Sequence, residues 1–139
     1  MLKMYKIIIK ITFAIILLVI GGIIYYAFRT DSLVMFNWAD KLGLGDYVDK
    51  IRLLATSIDI PDFVKYCLPN ALWTTSYILA ADALISKEDN KLLWIIALPL
   101  VATILEFGQG IHIVSGTFDL LDILCYILPI VVYYLCYKI

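Results

Sequence analysis

The amino-acid sequence predicts an all-α polytopic membrane protein, with about four transmembrane helices and an amphipathic segment between the first and the second. Three observations lead there. Of the 139 residues, 63 % are hydrophobic and 17 % charged, whereas soluble domains are roughly 45–50 % apolar and about 25 % charged. A chain this short and this apolar cannot cover its apolar surface with polar side chains, so lipid is the expected solvent. Apolar stretches recur over residues 7–28, 66–85, 92–109 and 120–137, each close to the ~20 residues a helix needs to cross about 30 Å of hydrocarbon. The 10 Tyr and 3 Trp suit the membrane–water interface, where amphipathic rings collect. The length allows a single domain, 1–139.

Each element follows from the local pattern. From Ile7 to Phe28 only Lys10 is charged; Lys3 and Lys6 precede the run, and Arg29 and Asp31 follow it. The run is too long for the apolar region of a signal peptide and no Ala-x-Ala-like site follows, so it reads as an uncleaved anchor. Residues 29–65 hold six Asp, three Lys and two Arg. There, Leu33 to Leu42 suits a short helix stopped by Gly43-Leu44-Gly45, and Asp46 suits the N-cap of the next one. Tyr47, Ile51, Leu54 and Ile58 then share one helical face, with Asp49, Lys50 and Arg52 off it. That pattern fits an amphipathic helix lying on the bilayer or on the other spans, and equally a plain packed connector. Pro61 marks the next break. The second span carries Asn70, Thr74, Thr75, Ser76 and Asp82, so it does not face lipid all round. A polar turn follows from Ser86 to Lys91. The third span contains Pro99, an expected kink, and Gly108, Gly110, Ser115 and Gly116 mark the loop before the fourth.

Lysine and arginine in short loops set orientation. The N-terminal tail has Lys3, Lys6 and Lys10, the loop between spans two and three has Lys87 and Lys91, and Lys138 ends the chain. The loop between spans three and four has none. Both termini are therefore expected in the cytoplasm.

This orientation collects the unusual polar residues at the outer face. Glu106 and Gln109 lie near the outer end of span three, and Asp119 and Asp122 open span four. Asp62, Lys65, Asn70 and Trp73 lie near the outer end of span two, and His112 is in the loop between. The i, i+3 spacing lets Glu106 and Gln109 point into the bundle from one face, and Asp119 and Asp122 repeat it. A carboxylate at membrane depth is expensive and usually faces a cavity or a partner. Carboxylates brought together also suit acid–base work. Lys65 or His112 are candidates to neutralise them. Against this, Asp119 and Asp122 also suit the first turn of a helix, Gln109 suits a structural hydrogen bond, and His112 reads as incidental. Trp73 and Trp94 suit interface or packing roles. Asp82 reads as an ion-paired span end near Lys87 and Lys91.

Several chemistries are excluded. A net charge of −1 argues against nucleic acid. There is no phosphate-cradling Gly-rich loop ahead of a Lys, no serine elbow and no His-Glu-x-x-His. One His and three unclustered cysteines, Cys67, Cys125 and Cys136, make a zinc site poor, and the cysteines read as small buried apolar residues. Gly21-Gly22 suits close helix packing. No cofactor is expected.

The run Glu106-Phe-Gly-Gln109, followed by Gly116-Thr-Phe-Asp119-Leu-Leu-Asp122, resembles the C-terminal pattern of the VanZ-like family. Pro61-Asp62-Phe63, Tyr66 and Leu68-Pro69-Asn70-Ala71-Leu72-Trp73 resemble the second-span region of its small members. The chain differs where members often carry an Arg before the first Asp, an Asn about four residues after the second, and a His in the start of the second span. The resemblance implies a small multi-pass protein of a bacterial cytoplasmic membrane, in a family some of whose members are linked to glycopeptide resistance.

The functional expectation is a polar pocket at the outer face, formed by Glu106, Gln109, Asp119 and Asp122 with Trp73 and Asn70. It would bind or remodel a membrane lipid, a lipid-linked cell-wall precursor or a lipophilic glycopeptide. A carboxylate-dependent membrane enzyme, with the acids as acid and base or as ligands for Mg²⁺, a small proton-coupled transporter subunit, and a membrane scaffold are the alternatives. Oligomeric state is left open.

Overall fold

The structure, a computed structural model, describes residues 2–85 and 90–137. Among them every regular element is helical: α1 (Leu2–Phe28), α2 (Val34–Lys41), α3 (Gly45–Ala55), α4 (Asp62–Tyr66), α5 (Leu68–Leu84), α6 (Lys91–Gly110) and α7 (Leu120–Tyr137). Residues 86–89 of the expected polar turn, with Lys87, and the C-terminal Lys138 lie outside the described residues. Two helices, Met4–Phe28 and Lys91–Gly110, are long and apolar enough to cross a membrane, and Leu120–Cys136 is a shorter apolar helix. The expected second span begins at Leu68, where Cys67 separates it from α4.

The four long helices run alternately up and down. Side chains of α5 reach α1 at matched, opposite positions. Trp73 Nε1 donates to the carbonyl of Leu18 (3.2 Å), Ser76 Oγ donates to that of Ala14 (2.7 Å), and Asp82 pairs with Lys10. The Tyr77 hydroxyl donates to the carbonyl of Trp94 (2.5 Å), which fixes α5 and α6 as antiparallel neighbours. Asn70–Asp122 and Asp82–Tyr133 contacts make α5 and α7 parallel. Small residues let α1 and α5 approach. Ala14 is buried, and a Cβ at Gly21 would lie 2.6 Å from Trp73 Nε1.

The apolar core is small. Ile78, Ala81 and Ile95 form one cluster, packed by Tyr77, Ile85, Ile130 and Tyr133. Ile8, Phe13, Leu18 and Ile23 on α1, and Leu100, Ile104, Leu124 and Leu128 on α6 and α7, are exposed. The bundle thus turns its polar residues inward and large apolar side chains outward, the reverse of a soluble protein.

A second cluster, Phe36, Ala39 and Val48 with Tyr25, Tyr26 and Leu33, folds α2 and α3 back against the end of α1. Arg52 holds that junction. Its guanidinium donates to the carbonyls of Tyr26 (3.3 Å) and Arg29 (2.7 Å), satisfying acceptors that a helix C-terminus leaves open. One expectation is corrected here. The N-cap of α3 is Leu44, with no side-chain cap, and Asp46 sits inside the first turn. The face that packs against the protein is Val48 and Ala55, whereas Tyr47, Leu54 and Ile58 are exposed. The more apolar stripe is the outer one because Arg52, needed at α1, turns the opposite stripe inward. Cys67 and Cys125 are buried as expected, but Cys136, near the end of α7, is exposed. Helix α6 continues through Pro99.

Candidate functional site

The two ends of the bundle carry different polar chemistry. At one end Asp82, with its side chain only 2 % exposed, sits among four helices. It pairs with Lys10 of α1 and with Lys91 of α6 (2.5 Å), and it accepts a hydrogen bond from the Tyr133 hydroxyl of α7 (2.7 Å). Lys91 also donates to the Asp82 carbonyl (3.1 Å). Sequence spacing pointed to Lys91; Lys10, 72 residues away, could not be found that way. All of this cluster's polar groups face one another, which marks it as a structural tie.

At the other end a cavity of about 680 Å³ opens between α1, α5, α6 and α7. Its lining includes Asn70, Trp73, Glu106, Gln109, Asp119 and Asp122, all of the residues that the sequence singled out for the pocket. Local structure explains how they converge. Glu106 and Gln109 share the inner face of the last turns of α6. The loop that follows returns tightly through His112 (φ 58°) and Gly116 (φ 141°), both in the left-handed region. Gly116 has a second reason to lack a side chain: a Cβ there would lie 2.5 Å from Gln109 Oε1. The return brings the backbone N–H of Asp119 to Glu106 Oε1 (2.7 Å). Asp119 Oδ1 then accepts from the N–H of Leu121 (2.8 Å), the N-cap contact that starts α7. One turn on, Asp122 Oδ1 accepts from Asn70 Nδ2 of α5 (2.9 Å).

Three carboxylates thus share one wall, and each has one oxygen held. None of the second oxygens has a hydrogen-bond partner among the described residues. No buried side-chain oxygen lacks a partner either, so the second oxygens are reached by solvent-sized space. Glu106 itself is 4 % exposed. The acids therefore face a cavity.

The opposite wall carries what sequence reasoning missed. Arg29, read only as the end of the first span, lines the cavity together with Tyr25 and Tyr66. Its guanidinium lies 5.6 Å from the Tyr25 ring centroid and 5.2 Å from that of Tyr66, within cation–π range. The signal in the sequence was weak: an Arg one residue past an apolar run, with aromatics four before it and 37 beyond. Lys65 and His112, the expected neutralising cations, are elsewhere. Lys65 pairs with Asp59 (3.7 Å) and Asp62 (3.5 Å), and His112 is exposed in the loop, outside the cavity lining.

One possible ligating set is present among the described residues. Cys67 Sγ and carboxylate oxygens of Asp119 and Asp122 lie within 4.8 Å of one another. A soft thiolate with two hard carboxylates is a poor match to Mg²⁺ or Ca²⁺, which take oxygen ligands, and one ligand short of a closed zinc site. Chemically, the cavity offers three carboxylates, one guanidinium, two amides and an aromatic wall. No nucleophile with an adjacent base is among the lining residues. Neither a protein-family model, nor a curated protein, nor a solved structure matches the chain.

Proposed function

We propose that the chain is a four-span integral membrane protein of the VanZ-like kind, set in a bacterial cytoplasmic membrane with both termini inside. On this reading it binds or remodels an amphiphile at a polar cavity on the outer face. The amphiphile is a lipid, a lipid-linked cell-wall precursor or a lipophilic glycopeptide. One observation carries the reading. Asn70, Trp73, Glu106, Gln109, Asp119 and Asp122, six of the nine residues that the sequence places at the outer face, line a single cavity of about 680 Å³, a size typical of small-ligand sites. Outward-facing apolar side chains around the bundle support lipid as its solvent. Exposed Tyr47 and Leu54 on α3, with Ile58 just beyond it and Trp38 of α2, suit the headgroup layer beside the cavity mouth.

Two experiments test this. A reporter active only outside the cytoplasm is fused after Ile113 or after Tyr137. The first fusion is expected to be active and the second silent, and the reverse pattern refutes the orientation. For function, a bacterial host expresses the wild type, Glu106→Gln or Asp119→Asn at matched membrane levels, and teicoplanin susceptibility is read. Both substitutions keep an oxygen for the Asp119 N–H or the α7 cap, so they remove charge and spare the fold. Protection by the wild type and its loss in either variant supports the cavity as the working site. Equal protection by all three assigns the protein a scaffold role instead, and no protection by the wild type removes the glycopeptide from the list of ligands.

A further inference from the structure

The cavity's charges are separated. Glu106, Asp119 and Asp122 lie on the wall made by α6 and α7; Arg29 lies on the wall made by the end of α1, held between Tyr25 and Tyr66. Among the described residues no ion pair joins Arg29 to any of the three acids, although all four line the same space. Uncompensated charge facing a low-dielectric cavity is costly. A protein that only needed a stable fold would gain by closing the guanidinium onto a carboxylate. Keeping them apart leaves room for a ligand that carries both opposite charges, spaced across the gap.

The donor and acceptor chemistry narrows that ligand. The acid wall offers the second oxygens of three carboxylates as hydrogen-bond acceptors. A primary ammonium has three N–H donors and can use them all. A trimethylammonium has none, and would gain only from the aromatic rings. The guanidinium is a planar fork suited to a phosphate or carboxylate. A neutral headgroup would leave the acid wall unpaired, and a purely anionic one would add repulsion to it.

Resting on the reading of this cavity as an amphiphile site, we propose that it selects a zwitterion made of a primary ammonium and a phosphodiester, the headgroup of an ethanolamine phospholipid. The ammonium is received by Glu106, Asp119 and Asp122, and the phosphate by Arg29. Asn70 and Gln109 line the same cavity beside the acids and supply neutral donors and acceptors.

The test uses the full chain, purified in a mild detergent and stripped of lipid. It is mixed with equimolar dioleoyl phosphatidylethanolamine, phosphatidylcholine and phosphatidylglycerol, and retained lipid is counted by native mass spectrometry. The wild type is expected to favour the ethanolamine lipid about tenfold over the choline lipid, the ratio for roughly one charge-assisted hydrogen bond. Glu106→Gln and Asp122→Asn should each erase that preference and raise the share of phosphatidylglycerol. Arg29→Gln should lower retention of all three lipids. Helix content and elution volume of each variant are checked against the wild type, and Asp122→Asn stands in if Glu106→Gln fails to fold.

Each outcome decides something. Retention that shows no headgroup preference, yet falls in the cavity variants, overturns the zwitterion and leaves the amphiphile site standing. Retention indifferent to every cavity variant overturns both. Glycerophosphoethanolamine, the same headgroup without acyl chains, is added as competitor. If it displaces the lipid at equal concentration, the headgroup chemistry stands and the lipid as its source is overturned.

Discussion

Removing the Asp82 carboxylate should be the most damaging single change in the bundle. Its side chain is 2 % exposed, and it faces the ammonium groups of Lys10 and Lys91, whose side chains are 26 % and 27 % exposed. Breaking a buried pair by deleting one partner typically costs about 3–5 kcal/mol, because the remaining charge is left buried without its partner. Partial exposure lets each lysine stretch toward water, which places Asp82→Ala near the lower figure, about 3 kcal/mol. Asp82→Asn keeps an oxygen for the Tyr133 hydroxyl, so it should cost less than the alanine change. At roughly 4 °C per kcal/mol for a chain of this size, Asp82→Ala should lower the melting temperature in detergent by about 12 °C. Tryptophan fluorescence on heating reads this directly. Placing Lys10→Met in the Asp82→Ala background removes one of the stranded charges and should recover part of the loss. A drop below about 4 °C for Asp82→Ala, or further loss in the double variant, would show that the lysines do not depend on this carboxylate.

Other expectations follow from single contacts. Gly116→Ala forces a left-handed backbone on a residue with a Cβ and drives it into Gln109. It should cost about 1–3 kcal/mol and weaken ligand retention in the native mass-spectrometry assay, and an unchanged variant would refute the tight return. Gly21→Val should push the Trp73 indole off α1, red-shifting its emission and destabilising by about 1–3 kcal/mol; emission identical to the wild type would contradict the α1–α5 contact. Arg52→Met removes both donors to the α1 carbonyls, at about 1–3 kcal/mol, and should speed proteolysis between α2 and α4, whereas wild-type cleavage rates would count against the junction. A maleimide reagent on the folded protein in detergent should add to Cys136 and spare Cys67 and Cys125, so rapid triple labelling would refute the α5–α7 packing.

The long helices were legible because each is a run of mostly apolar residues, two of them long enough to cross a membrane, and that signal is local. The carboxylate wall was legible for a related reason. Once the helices alternate in direction, residues near equivalent ends must meet, so Asn70, Glu106 and Asp122 could be brought together by topology alone. Arg29 was not legible as a site residue, since its role depends on α2 and α3 folding back on α1 and on Tyr66 arriving from beyond them. Lys10 escaped for the same reason, its partner being far along the chain. The inner face of α3 stayed open in the sequence, because periodicity finds an apolar stripe without saying whether lipid or protein covers it. In water the greasier face turns inward; here Arg52 and the small Ala55 take the protein side, and the greasier face is left outward.

The tie at Asp82 also bears on how the protein is made. Lys10 emerges from the ribosome 72 residues before its carboxylate. At about 5–20 residues per second, that interval is roughly 4–14 s. Through it, on the four-span reading, the first helix must hold the Lys10 charge near the start of its apolar run before Asp82 exists. The hydroxyl of Tyr133 arrives later still. The bundle is therefore sealed from its last helix backward, and a nascent chain stalled before α5 would leave its first helix free to slide toward the aqueous side.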